Sequence, residues 1–326
     1  MRMIFARNVN DAWLNAIGVM NQIGVPEDSR NGPVRVAPYP VMTIYDYPFE
    51  RVLFDPVRDA NPIFHLHESL WMLAGSNDAT WLDQFVKDFS ERYAEPDGSM
   101  HGAYGYRWRE HFSSAIGHSS LDQLDVVVKI LTQNSGSRQA VIQMWDAESD
   151  LGLQKLKDRP CNTQIYLRIQ NNVLDLNITC RSNDIVWGAY GANIVHFSIL
   201  QEYLAARIGV GIGKLYQYSW NWHMYENAKH LVDSEAANGW SRYPGTIPLV
   251  TNPDTFDDEV FDYVEDPELT PPDLDNVFLS NTAYPMFKAN VSRRAGDREG
   301  ALSWAHRIVA PDWKQATVAW LERRKK

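Results

Sequence analysis

The stretch from Arg159 to Tyr190, RPCNTQIYLRIQNNVLDLNITCRSNDIVWGAY, restricts the fold of this chain more than any other. Thr163 to Ile169 and Val173 to Cys180 have strand character, and the polar pair Asn171-Asn172 separates them, which predicts a β-hairpin. In a hairpin the start of the first strand lies beside the end of the second. Cys161, locked behind Pro160, is therefore expected next to Arg181, which opens the run Arg181-Ser182-Asn183-Asp184. Two readings fit that pairing. A fixed cation and a row of hydrogen-bonding groups lower a cysteine pKa and suit an anionic substrate. Equally, the cysteine is a buried structural residue and the arginine half of a surface ion pair.

The remaining chain predicts helices and strands in no regular βα alternation. Val9 to Gly24 carries Ala12, Trp13, Ala16, Ile17, Met20 and Ile23 on one helical face. Val34 to Tyr47 reads as extended segments broken by prolines, and Asn61 to Ala74 as a helix apolar around most of its circumference, hence central. Glu68 sits on that helix; a buried carboxylate there must be paired or catalytic, unless it occupies the one wet face. Thr80 to Val86, Leu121 to Gln133 and Ala192 to Ile208 predict further helices, and Arg92 to Gly98 a polar turn-rich segment. Arg138 to Trp145 and Leu215 to Trp222 predict strands. From about Gly239 prolines and aspartates crowd the chain, which predicts a loop-rich elaboration closed by a helix from Pro311. The pattern gives an α+β fold with a mostly mixed or antiparallel sheet, in a single domain spanning 1–326.

Two cysteines in 326 residues point to a reducing cytoplasm rather than a disulfide scaffold. No apolar run reaches membrane-spanning length, and the first residues lack a signal-peptide core. A formal charge of −10 argues against a surface that coats nucleic acid, while a local arginine cluster can still receive an anionic small molecule. Gly209 to Lys214 imitates a phosphate loop, but it follows a helix and lacks the hydroxyl residue after the lysine, so a helix C-terminal turn is expected. His65 and His67, two apart, fall on different helical faces and do not make a metal pair, and Arg323 to Lys326 reads as a solvated tail.

Several motifs, in order, now bear on Cys161: Ser29-Arg30-Asn-Gly32, Glu68-x-Leu-Trp71-x-Leu-x-Gly75, Tyr104-Gly105-x-x-Trp108-Arg109, Ser137-Arg138, Pro160-Cys161, Arg181-Ser182-Asn-Asp184, Asn193 and His223-x-Tyr225. From about Arg30 to Tyr225 the chain resembles the thymidylate synthase superfamily, which includes pyrimidine-nucleotide hydroxymethylases of phages and antibiotic pathways. The resemblance implies a mixed sheet with flanking helices that packs against its twin in a homodimer. It implies transfer of a one-carbon unit from 5,10-methylenetetrahydrofolate to C5 of a pyrimidine nucleoside monophosphate. Cys161 would be the nucleophile at C6, splitting one hard step in two. Arg30, Arg181 and Ser182 would grip the phosphate, with Arg138 reaching across from the dimer mate; Gln139 stands where the family has a second arginine. His223 and Tyr225 would hold the sugar 3′-hydroxyl. Glu68 would run proton transfers through water, Tyr104 would assist removal of the C5 proton, and Asp184 would hold the pterin beside the base.

Asn193 falls where this family reads the base, and its amide fits the O4 acceptor and N3–H donor of uracil. The related phage deoxycytidylate enzymes carry aspartate there. Gly188 to Asn193 is one residue longer than the usual spacing. Hydride from tetrahydrofolate ends such a reaction as methyl, water as hydroxymethyl, and hydride transfer needs a dry site. Here Ser90 stands where the synthases place a tryptophan wall, and the basic end Leu321 to Lys326 is unlike their apolar lid. Both departures favour dUMP 5-hydroxymethylation. Reductive methylation of dUMP, hydroxymethylation of dCMP or CMP, and a non-catalytic nucleotide- or folate-binding module on the same fold are the alternatives. Retaining the cysteine, both carboxylates and Tyr104 argues against the last.

Overall fold

The computed structural model describes all residues except 114–119, 153–154, 233–241, 269–274 and 325–326. Eight strands form one sheet: β1 (Arg2–Ala6), β2 (Val25–Ser29), β3 (Gly32–Val36), β4 (Val41–Tyr45), β5 (Val141–Gln143), β6 (Asn162–Gln170), β7 (Val173–Asp184) and β8 (Gly211–Tyr225). The order is β1-β4-β8-β7-β6-β5, with β3 also on β8 and β2 on β3. The β1–β4 and β7–β8 pairs are parallel and the others antiparallel, so the sheet is mixed, as expected.

The hairpin is present as its residues dictate. Asn171 and Asn172 both take left-handed backbone (φ 51° and 59°), the conformation a tight two-residue turn requires and asparagine tolerates. Alternation then sorts the sheet into two faces. Leu174, Leu176, Ile178 and Cys180 of β7 and Leu215, Gln217 and Ser219 of β8 point inward and are buried. Met3, Phe5, Tyr166 and Trp220 stay exposed on the other face.

Helices cover the inner face: α1 (Val9–Ile23), α2 (Pro62–Leu73), α3 (Phe89–Tyr93), α4 (Tyr104–Arg109), α5 (Gln123–Gln133), α6 (Ala147–Asp150), α7 (Asn193–Ile208), α8 (Phe256–Glu265), α9 (Tyr284–Arg294), α10 (Arg298–His306) and α11 (Pro311–Glu322). As its pattern predicts, α2 is buried along nearly its whole length, and α7 likewise. Gly105 lets α4 lie directly on α2, since a Cβ there would meet the Met72 carbonyl oxygen at 2.0 Å.

Several expectations need correction. The first residues form β1, paired with β4, where no strand was expected. Thr80 to Val86 is a 3₁₀ helix over Ala79–Gln84, α3 occupies the start of the segment read as turns, and the strand read over Arg138 to Trp145 shrinks to three residues. The segment after Gly239 is not loop-rich: from Phe256 it builds four helices, α8 to α11. The prolines and aspartates that disguised it serve helix starts. Asp257, Asp258 and Glu259 occupy the first turn of α8, Asp297 caps α10, and Pro285 and Pro311 sit where a missing N–H costs nothing. These helices join the main core: His67 donates or accepts at Tyr263 Oη over 2.9 Å and stacks on Phe85, and Asp257 accepts from Tyr203 and Arg109. Gly239 itself, residues 269–274 and Lys325-Lys326 of the basic tail lie outside the described residues. Gly209 is the left-handed cap of α7, as expected, while Gly211 and Gly213 already belong to β8. Among the described residues no helix is long and apolar enough to cross a membrane.

Candidate active site

Strand pairing assembles the site. The Arg181 amide donates to the Cys161 carbonyl at 2.9 Å, and the guanidinium Nε donates to the Pro160 carbonyl at 2.9 Å. That anchoring holds the guanidinium Nη2 3.9 Å from Cys161 Sγ, over the Trp145 ring. The parallel register of β7 and β8 sets Ser182 beside Asn221 and Asp184 beside His223. Pairing of Val34 with Tyr225 brings the β2–β3 turn, and with it Arg30, to the same place. Arg30, Cys161, Arg181, Ser182, His223 and Tyr225 thus line one cavity of about 640 Å³. Two arginines beside a hydroxyl suit a phosphate. His223 and Tyr225 meet edge to face at 5.4 Å, and buried His223 Nδ1 has no hydrogen-bond partner among the described residues.

The thiol corrects one expectation. The arginines beside Cys161 were expected to lower its pKa, but burial pushes it above the ordinary thiol value. Arg181 and Arg30 pull it down and the carboxylate of Asp158 pushes it up. Sequence shows the two cations and not the low-dielectric walls that outweigh them.

A second cavity, about 480 Å³, holds Glu68, Tyr104 and Asn193 between walls that include Phe64, Trp71 and Trp187. Tyr104 Oη accepts from the Cys161 and Asn162 amides at 3.3 Å each, which ties this cavity to the cysteine. Burial raises the Tyr104 pKa well above its ordinary value, so its hydroxyl keeps a proton to donate. Asn193 Nδ2 donates to Asn183 Oδ1 at 3.0 Å, and Asn183 Nδ2 donates to Ser219 Oγ at 2.9 Å. A flip of Asn193 alone would set two amide oxygens 3.0 Å apart, so the chain of amides orients the group that faces the cavity. Gly188 to Ala192 lie in a π-helical segment, Ile185–Ala192, kinked at Gly191, which closes each turn over one more residue than an α-helix. Asn193 therefore still opens α7 and lines the cavity.

The remaining expected residues lie as follows. Asp184 lines neither cavity; its Oδ1 accepts from the Val186 and Trp187 amides and caps the π segment. Arg138 is exposed ahead of β5 and is not part of the cavity around Cys161. Ser90 turns to Asp83, and its segment contributes Phe89 and Tyr93 to the second cavity instead. The basic end is not simply solvated. Arg323 and Arg324 pair with Asp59 at 2.9 and 2.7 Å, and Asp59 lines the second cavity. A further cavity of about 790 Å³, around Arg7, Glu50 and Arg242, contains none of the expected residues.

Three residues went unread in the sequence. Buried His196 places Nε2 2.9 Å from Glu68 Oε2, close but not aligned as a hydrogen bond, and its position three residues after Asn193 on α7 was the available signal. Arg58 donates to the Val186 carbonyl and covers Trp187 at 4.5 Å; burial lowers its pKa to about 10. Asp158, three residues before Cys161, lines both cavities, and nothing in its surroundings in sequence announces that. His65 also lines the second cavity, where burial, then Arg58 and His196, hold its pKa well below the ordinary histidine value.

A family model described as thymidylate synthase matches residues 58–266. A deoxyuridylate hydroxymethyltransferase of Pseudomonas phage M6 is 40% identical over 344 aligned residues, covering all of this chain and 95% of the relative. A deoxyuridylate hydroxymethyltransferase of Bacillus phage SP01 is 34% identical over 217 residues, covering 65% of this chain and 56% of the relative.

Proposed function

Because the chain belongs to the thymidylate synthase family, we propose that it transfers the one-carbon unit of 5,10-methylenetetrahydrofolate to C5 of dUMP and closes the reaction with water. The products are 5-hydroxymethyl-dUMP and tetrahydrofolate. The observation that carries this reading is the junction of the two cavities: a nucleophile among phosphate- and sugar-binding groups on one side, base- and proton-handling groups on the other, tied through Tyr104 Oη.

Arg30, Arg181 and Ser182 hold the phosphate, and His223 with Tyr225 the 3′-hydroxyl, which leaves the pyrimidine reaching past Cys161 toward Asn193. Thiolate addition at C6 makes C5 enolate-like and able to attack a one-carbon electrophile. Once dUMP is bound, Arg181 is the cation nearest the developing thiolate. Asn193, oriented by Asn183, reads O4 and N3–H of uracil. Glu68 relays protons at the base carbonyl and Tyr104 assists loss of the C5 proton. The folate supplies the transferred carbon, and the aromatic walls of the second cavity suit a flat pterin.

The exposed sheet face carries Met3, Phe5, Tyr166 and Trp220, enough apolar surface to argue for a second copy packed against it. In that dimer Arg138, which is exposed and does not line the Cys161 cavity of its own chain, would reach the partner's phosphate. Two free cysteines fit a reducing cytoplasm.

The test incubates the protein with dUMP, dCMP and CMP in turn, each with methylenetetrahydrofolate, and identifies products by mass spectrometry. Hydroxymethyl-dUMP with tetrahydrofolate is expected. Thymidylate with dihydrofolate, or a cytosine product, would overturn the reading.

A further inference from the structure

The two cavities meet at a seam. Tyr93 and Asp158 are the described residues that line both. If C6 of the base bonds to Cys161 Sγ in one cavity and its edge meets Asn193 in the other, the ring spans that seam, and C5 with its substituent lies against these two side chains.

Asp158 is built into the seam. Its carboxylate is held by the Gly102 and Arg159 amides, and a Cβ on Gly102 would fall 2.4 Å from Asp158 Oδ2. Only glycine there admits the carboxylate. Its charge reaches both Cys161 and Tyr104. Glu68, His65 and His196 line the second cavity with it, and the charges of His101 and Arg107 act on its carboxylate. A carboxylate at this point has no role in gripping a phosphate, which it would repel, or in packing a flat apolar ring.

We propose that Asp158 is the residue by which water, rather than hydride, ends the reaction: its carboxylate holds the attacking water beside the methylene carbon and takes that water's proton. The step balances without any oxidant or reductant. After tetrahydrofolate leaves, the exocyclic methylene at C5 is conjugated with the C4 carbonyl. Water oxygen bonds to the methylene carbon, the π pair moves to O4 as an enolate, and the water proton goes to Asp158. Collapse of the enolate expels the Cys161 thiolate from C6 and restores the C5–C6 double bond. Burial raises the Asp158 pKa, which brings it nearer to that of a base useful at neutral pH. A polar group that keeps water at the seam also denies hydride transfer the dry contact it needs.

This inference rests on the proposed hydroxymethylation, and the experiment separates the two. Asp158→Asn keeps an acceptor for the Gly102 amide and removes the base; Asp158→Leu dries the seam. For each, release of C5 tritium from labelled dUMP and formation of hydroxymethyl-dUMP are measured in one reaction, with 2-mercaptoethanol present to trap the methylene as a thioether. Their ratio does not depend on the fraction of folded enzyme. In both variants hydroxymethyl product is expected to fall at least tenfold relative to tritium release, with the thioether rising in its place. A ratio equal to that of the unsubstituted enzyme, whether both rates fall together or neither falls, overturns the role of Asp158. Thymidylate from the unsubstituted enzyme would instead overturn the reaction assigned to the protein.

Discussion

Arg181 and Cys161 are joined twice: the Arg181 amide donates to the Cys161 carbonyl at 2.9 Å, and its guanidinium stands 3.9 Å from the sulfur. The first contact belongs to the sheet ladder and the second to the chemistry, so the strand pairing itself aims the cation. Burial nevertheless leaves the thiol above its ordinary pKa. The pH profile of Cys161 alkylation by iodoacetamide should therefore have its midpoint above that of a free thiol. In Arg181→Gln it should move further up, with alkylation at pH 8 slowed by at least about threefold, because the thiolate loses a neighbouring cation. A profile unmoved by the substitution would show that Arg181 does not act on the sulfur.

Asn193 presents an amide whose direction Asn183 sets. Asn193→Asp replaces its donor with an acceptor, which opposes uracil O4 and favours the cytosine amino group. The ratio of kcat/KM for dCMP over dUMP should rise by at least about 100-fold, about 3 kcal/mol, the scale of one mispaired buried polar group. Steady-state kinetics on both nucleotides checks it, and an unchanged ratio would remove Asn193 from base reading.

The Trp220 face should be a subunit interface. Trp220→Glu places a charge on a side chain that is 64% exposed in the single chain, so it should fold yet sediment as a monomer. If Arg138 completes the partner's site, mixing inactive Arg138→Ala and Cys161→Ala chains should restore about a quarter of the activity. Half of randomly paired twofold dimers are mixed, and each mixed dimer has one intact site. Activity that stays at zero on mixing would confine Arg138 to its own chain.

Beneath the first cavity, Asp150 accepts from Arg107 at 2.8 and 3.0 Å and from His101 at 2.7 Å, and Arg107 is fully buried. Asp150→Asn leaves the guanidinium without its counter-charge, which costs about 3–5 kcal/mol for a buried pair. Urea unfolding should show a midpoint lowered accordingly; a loss under about 1 kcal/mol would mean that the backbone carbonyls around Arg107 suffice.

Asp312 gives a pH signature. Burial raises its pKa to about 6 from 3.8, against the pull of the Trp313 amide, Tyr243 and Arg51. The folded chain keeps a proton that the unfolded chain releases, so this group's contribution is present below about pH 4 and lost as pH rises through about 6, in all about 3 kcal/mol. Asp312→Asn should therefore gain stability relative to the parent at pH 8 and not at pH 4. Equal differences in urea midpoint at the two pH values would contradict the assignment.

The segment after Gly239 shows where reading by composition fails. Proline and aspartate mark loops on average, yet Asp257, Asp297, Pro285 and Pro311 stand in the first turns or caps of α8 to α11, the positions where helices favour them. The apolar spacing of Val260, Tyr263 and Val264 was the signal against a loop.

What the sequence determined by itself is what near neighbours along the chain decide. The Asn171-Asn172 turn, the inward alternation of β7 and the all-round apolar α2 follow from local conformation and period, and the hairpin alone put Arg181 beside Cys161. Motif order then carried the family. Tertiary structure decided what depends on residues far apart in sequence. The seam at Asp158 and the contact of His196 with Glu68 across α7 and α2 arise only when separate elements pack. The same holds for the Cys161 thiol. Its cations are legible in the sequence, but the desolvation that outweighs them is a property of the walls that folding builds around it.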